Sequence, residues 1–420
     1  MDRTKYILQE IKNYNNQFDK NLFQFKINKM KKTPLNFFRA TSHLFYQDIN
    51  TGIVKIPDKW KNVNNIHSWI CGDLHISNVG FFTDNNFNIK FGLNDYDSSC
   101  IAPYYLDLIR FCISLYLTDN EYFTDQDLDE LIFNFLTKYY EYISINKKIS
   151  LTRKNIKKLK CNFIYKKLIE ISKRPSNFQL SKYTKIKKHK RLFDLENIKL
   201  KKPSEFEINS IKDNWNFYIN SSKKEFDKSY FKINDITKRI NSGLGSLGVN
   251  KFYILIHGEK GKNNSNKILE VKQRLSSSVH LSGLTKSFNF YDQADRVYIA
   301  MKNMSKSEFT FSGKIKLNKE SYTVKELTPY KFSFEIKDFK NVSDFRDFVH
   351  TTAIELASAH IRSTDEKQHF YFNPSFNKSV MQSLTSGIIN INQIIDIIKD
   401  YSKTVISDYN VFSDADIIQQ

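Results

Sequence analysis

Asp73, His75 and Asn78 stand together in Gly72-Asp73-Leu74-His75-Ile76-Ser77-Asn78, and Asp95 and Asp97 follow in Asn94-Asp95-Tyr96-Asp97. Carboxylate and amide oxygens are the donors that a hard divalent cation such as magnesium takes. An acid, an amide oxygen and another acid therefore read as a cation-holding set with one carboxylate to spare for proton chemistry. The stretch between them must do the positioning. Phe81-Phe82 is a short apolar strand, Asp84-Asn85-Asn86 is turn chemistry, and Ile89 to Leu93 is a second strand. A hairpin there brings Asp73, Asn78 and Asp95 to one end of a short ribbon. Asp and Asn are also common in turns, so a hairpin with polar ends accounts for each residue singly. It does not account for the combination and its spacing.

A second set lies far downstream. Gly243, Gly245 and Gly248 fit G-x-G-x-x-G in Gly243-Leu244-Gly245-Ser246-Leu247-Gly248, a weak signal on its own. A dinucleotide-binding loop leads into a helix, whereas Lys251 to Ile256 reads as a strand. Strand, glycine-rich turn, strand lets a backbone loop, here with Ser246 inside it, approach phosphate oxygens. Lys272 then sits in Ile268-Leu269-Glu270-Val271-Lys272, a strand with alternating faces. It is either an edge charge in water or the amine that meets the α- and β-phosphates.

The remaining elements frame these two sets. Tyr6 to Met30 reads as one amphipathic, basic helix that packs on the fold or touches a membrane surface. Thr33-Pro34 supplies a cap and a first-turn proline for a helix over Leu35 to Tyr46, which carries Arg39. Arg39 reaches a phosphate or pairs with an acid. Pro103 to Leu117 is a buried helix containing Asp107, which bonds backbone groups or an arginine near residues 72–78 unless it lies on an exposed face. Thr124 caps a helix over Asp125 to Ile145. Arg239 to Arg274 is an antiparallel β unit, and Asp292 to Met304 is a helix offering Asp292 or Asp295 to the strand lysine. Phe309 to Phe334 returns to strand, Asp344 to Arg362 is a helix, and a last helix covers about Ser379 to Asp400 before a poorly ordered acidic tail.

Composition narrows the class. The 420 residues are 40% hydrophobic and 26% charged, with few Gly (12) and Pro (7), as expected for a folded chain with core for two or three domains and without long flexible linkers. The net charge of +20 favours anionic partners. Much of it lies in residues 146–202, where Lys154 to Lys160 and Lys185 to Arg191 are strongly basic. That run binds nucleic acid or an anionic surface, or is a solvated insertion; no regular aromatic interleaving accompanies it. Cys71, Cys100, Cys112 and Cys161 show neither metal spacing nor a disulfide framework, which makes a reducing compartment the default. The N-terminus has no apolar stretch with a cleavage site, and no run approaches a membrane span. The expected location is the cytoplasm.

The G-D-x-H-x-x-N form resembles the catalytic loop of the aminoglycoside phosphotransferase and choline kinase branch of the kinase-like superfamily, with His75 where protein kinases carry a lysine. The motifs Phe37-Phe38-Arg39-Ala40, Cys71 to Gly80, Leu93 to Asp97, Tyr105 to Arg110, Gly243 to Gly248, Leu269 to Lys272 and Leu356-Ala357-Ser358-Ala359-His360 together resemble the bacterial family known as domain of unknown function 2252. That family usually has Lys-Glu-Ala where this chain has Lys272-Gln273-Arg274. The resemblance implies an α+β, protein-kinase-like two-lobed fold with a mainly helical lobe and a small antiparallel β lobe. Kinase-like enzymes place the glycine loop first and the catalytic loop after it; here the order is rotated, as in a circular permutation. The implied division is a basic helix over 1–36, a helical lobe over 37–235 with a basic helical insertion at 146–202, a nucleotide-binding β lobe over 236–335, and helices over 336–420 that complete the first lobe.

The implied activity is ATP- and Mg2+-dependent phosphoryl transfer to a hydroxyl, on a small molecule by preference. Asp73 would be the base and Asn78 and Asp95 the metal holders. Asp97 is either a further acidic ligand or a structural partner. Gly243, Gly245, Ser246, Gly248 and Lys272 would hold the nucleotide, with His75, Asp107 and Arg39 in support. Alternatives are nucleotidyl transfer, an inactive nucleotide-binding module, and a basic nucleic-acid-binding protein.

Overall fold

The protein is described here by a computed structural model, covering residues 2–16, 18–118, 123–222, 227–240, 243–244, 248–259, 265–305, 309–364 and 375–415. It is a mixed α+β fold whose sheets are antiparallel. The largest sheet has six strands, in the order Gly313–Leu317, Glu320–Glu326, Lys267–Gln273, Lys251–Ile256, Ile233–Arg239 and Leu200–Lys201. The expected hairpin forms from Val79–Thr83 and Ile89–Leu93 and is flanked by Phe332–Ser333 and Leu151–Thr152. His67–Ile70 pairs with Cys100–Pro103, so both ends of the stretch that bears Asp73 and Asp95 are pinned side by side.

Strand alternation sorts the large sheet into two faces. Phe252, Ile254, Leu269, Val271 and Val324 pack with Ile211, Trp215 and Tyr218 of helix Glu205–Ser221. On the opposite face, Tyr253, Leu255 and Ile268 are covered by Leu180, Tyr183, Phe193 and Leu200. The sheet thus takes its first strand from Leu200–Lys201, and the residues covering this face begin at Leu180. This corrects the expected start of the β-rich part at 236. It also corrects the reading of 146–202 as a helical insertion, because that segment supplies strands as well as helices and its apolar residues cover a sheet face.

Most of the remaining helices share one large core with the hairpin. At its centre run Tyr105–Tyr116, Asp125–Ser144 and Val342–Ser363, and Thr124 caps the second of these as expected. The single helix expected over 6–30 is two, Arg3–Asn15 and Lys20–Met30, because the Asp19 carboxylate accepts from Leu22 N at 2.9 Å and starts a new helix. Its apolar residues Ile7, Ile11, Ile27 and Met30 are fully buried, so this face packs on the fold. Arg3 ties the first helix to Asp48 and Asp408, each at 2.6 Å. The last helix is also two, Phe376–Thr385 and Ile391–Asp414, separated at Gly387, whose φ of +70° ends the first. Residues 401–414 are helical, and Asp408 is engaged by Arg3. No helix among the described residues is long and apolar enough to cross a membrane.

Candidate functional site

The loop at 71–78 is held from below by one helix. Asp107, fully buried, accepts from Cys71 N at 2.7 Å and Gly72 N at 3.0 Å. His360 Nε2 lies 3.3 Å from the same carboxylate, and His360 Nδ1 is 2.8 Å from the Tyr139 hydroxyl. Of the two readings of Asp107, the backbone-bonding one holds. Gly72 has a φ of +76°, and a Cβ there would stand 2.3 Å from Ser98 O, so the loop needs glycine at this point.

One helical turn further along, Arg110 does a second job that the sequence reading left unassigned. Its Nε and Nη2 donate to Asp73 Oδ1 at 2.9 and 2.6 Å, and Nη2 also donates to Phe38 O at 3.2 Å. The guanidinium lies over the Phe38 ring, 4.2 Å from its centroid. The signal was present as Asp107 and Arg110 at i, i+3, which share a helix face. Burial pushes the Asp73 carboxyl up, and Arg110 and Arg39 pull it only part of the way back. Among the described residues no partner meets Asp73 Oδ2, which leaves it open to the cleft. Burial, with Arg39 and Arg110 nearby, drives His75 well below the usual imidazole range, so it stays neutral.

Asn78 and Asp95 are brought together by the hairpin. Asn78 Nδ2 donates to Asp73 O at 2.6 Å, and Asn94 N donates to Asn78 O at 3.0 Å. Asp97 N donates to Asp95 Oδ1 at 3.3 Å. Facing them is the free end of the large sheet. Lys272 stands opposite Lys251 on one side and Thr323 on the other, and Glu270 stands opposite Tyr253 and Lys325. Lys272 Nζ lies 4.0 Å from Asp95 and contacts Asp97 directly; Arg274 also pairs with Asp97, while its Nε donates to Thr323 Oγ1 at 2.8 Å.

The two expected carboxylates for Lys272 do not serve it. Asp295 pairs with Lys314, and Asp292 accepts from Asp295 N at 2.9 Å. Their helix, Gln293–Ser305, instead sends Arg296 to Asp97 O and Leu275 O, both at 2.8 Å. Both Asp97 oxygens are thus occupied by cations.

Electrostatics follow from this crowding. Burial alone would raise the Asp95 carboxyl, but Lys272, Arg274, Lys325 and Lys251 outweigh it and hold Asp95 well below the carboxylate range. Glu270 is held low in the same way, chiefly by Lys251, which lies 3.6 Å away. Burial brings Lys251 down to about 8 and Lys325 to about 7. Lys251, Lys325 and Arg274 escaped the sequence reading; their alternation with apolar residues along the strands was the available signal.

Asp73, His75, Asn78, Asp95, Asp97, Arg39 and Gly243 line one cleft, with about 140 Å³ of free space. Gly248, at φ +87°, packs against Phe18 so closely that a Cβ would meet its ring at 1.9 Å. Gly245 and Ser246 lie outside the described residues. A larger cavity of about 480 Å³, lined by Phe135, Lys138, Arg346 and His350 among others, lies between helices and holds none of the expected site residues. No group of three or more His, Cys, Asp or Glu side chains among the described residues is placed to cage a metal ion.

A family model described as "Uncharacterized protein conserved in bacteria (DUF2252)" matches residues 18–415. No curated protein and no solved structure matches the chain.

Proposed function

The chain belongs to the bacterial family DUF2252, and we propose that it is an ATP- and magnesium-dependent phosphotransferase with a circularly permuted, kinase-like two-lobed arrangement. The observation that carries the reading is the approach of Lys272, on the second strand after the glycine-rich connection, to within 4.0 Å of Asp95 at the hairpin end. These parts come from distant stretches of chain, and their meeting is what phosphate positioning needs.

Arg110 fixes one oxygen of Asp73, which leaves Oδ2 to accept the proton of the acceptor hydroxyl. Asn78 and Asp95 would hold magnesium, which when bound neutralises charge on the transferred phosphoryl group. Lys272 would reach the phosphates under the glycine-rich loop. Asp97 is then a positioning residue: it supplies the carboxylate that holds Lys272 and Arg274 beside Asp95. Neutral His75 shapes the loop and is not the base.

The test is the melting temperature of the full chain with and without ATP and magnesium, for wild type, Asp95→Ala and Lys272→Ala. The expected result is a rise in wild type that both variants lose; no rise in wild type would overturn the reading. With a turnover substrate in hand, product mass separates phosphoryl from adenylyl transfer.

A further inference from the structure

Two cations on the Asp73 side of the cleft have no carboxylate within salt-bridge distance among the described residues. Lys26 is buried; its Nζ donates to Asn15 Oδ1 at 2.6 Å and lies 5.5 and 5.1 Å from the ring centroids of Tyr14 and Phe18. Arg39 has a buried Nε with no hydrogen-bond partner. Among the described residues no salt bridge reaches either, whereas Arg110 is answered by Asp73 and both Lys272 and Arg274 by Asp97. His75 Nδ1, in the same wall, is also buried and unpartnered. Lys26 and Arg39 line the cleft together with Asp73 and His75.

Burying a charge without a partner is costly, and the cost is recovered when an opposite charge arrives. Burial already brings the Lys26 amine down to about 8 and lowers Arg39, even though Asp73, Glu335 and Asp95 pull Arg39 the other way. Lys26 owes its place to the break between the first two helices, which sets Tyr14 in a stack on His43 at 3.8 Å and Phe18 against Gly248. The N-terminal helix pair is therefore a wall of the cleft as well as a packing element.

Resting on the phosphotransferase reading, we infer that Lys26 and Arg39 form an anion subsite for the acceptor, which carries a phosphate or carboxylate group beside the hydroxyl presented to Asp73. The cationic amines of aminoglycosides and choline would meet these residues as like charges, so this cleft selects against such acceptors.

Titration calorimetry of the full chain with inorganic phosphate, and separately with malonate, tests this in wild type, Lys26→Met, Arg39→Met, Arg39→Lys and Lys272→Met. At least one probe should bind wild type. Its affinity should fall about tenfold or more in Lys26→Met and Arg39→Met and be largely kept in Arg39→Lys. Melting without ligand checks that Lys26→Met, which takes the donor from the buried Asn15 Oδ1, is folded. Tighter phosphate binding assigns a phosphorylated acceptor, and tighter malonate binding a carboxylate one. No binding of either probe, or a loss confined to Lys272→Met, overturns the inference. The melting shift with ATP and magnesium on the same proteins separates the two proposals: a shift without anion binding sinks only the subsite, and anion binding without a shift sinks the phosphotransferase reading.

Discussion

Replacing Asp107 by Asn changes one oxygen for an NH2 group at a fully buried position and leaves the volume alone. The carboxylate now accepts from Cys71 N at 2.7 Å and Gly72 N at 3.0 Å and faces His360 Nε2 at 3.3 Å. Asn has one acceptor oxygen. Set in the place of Oδ2, it keeps Cys71 and His360 but turns its NH2 against the Gly72 N–H. One charge-assisted bond is lost, the other loses its charge, and a buried donor is left unanswered, a cost of about 2–4 kcal/mol in total. Urea unfolding at pH 7, followed by tryptophan fluorescence, reads this directly. For a slope near about 3 kcal/mol/M the midpoint should fall by about 1 M with the slope unchanged. The same variant should lose part of the melting shift with ATP and magnesium, because the loop bearing Asp73 is no longer held at its root. An unchanged midpoint would refute the assignment of Asp107 as the support of this loop.

Glu355 gives a pH signature. Burial pushes its carboxyl up to about 7 against the pull of Arg362, so the folded state takes up a proton between the unfolded value of 4.5 and about 7. Its contribution is greatest below 4.5 and is lost as pH rises through about 7, on the order of 3 kcal/mol across that window. Stability of wild type relative to Glu355→Gln should therefore fall from pH 4.5 to 7.5; a flat difference would show that Glu355 is ionised throughout. The difference is the right quantity, because His43 and His67, which burial keeps neutral, bend the total curve the other way. Gly72→Ala should cost about 2–4 kcal/mol in the same urea assay, since its Cβ would meet Ser98 O at 2.3 Å in a left-handed backbone. Gly243→Ala, whose Cβ meets nothing within 4 Å among the described residues, is the control and should be near neutral.

Local features of this chain were legible without coordinates. The hairpin from Val79 to Leu93, the Thr33 and Thr124 caps and the strand around Lys272 each rest on short-range spacing, which fixes periodicity and capping on its own. Helix length was less legible: the breaks near Asp19 and Gly387 fall inside amphipathic patterns that continue across them. What only the tertiary structure decided was which charges meet. Asp97, rather than Asp292 or Asp295, takes Lys272; Arg110 takes Asp73; and Lys26 and Arg39 are left facing a cleft. Such pairings join segments far apart in the chain, and no local spacing records them. They follow from how the sheet face, the hairpin end and the N-terminal helices pack, and packing is settled by the whole core at once.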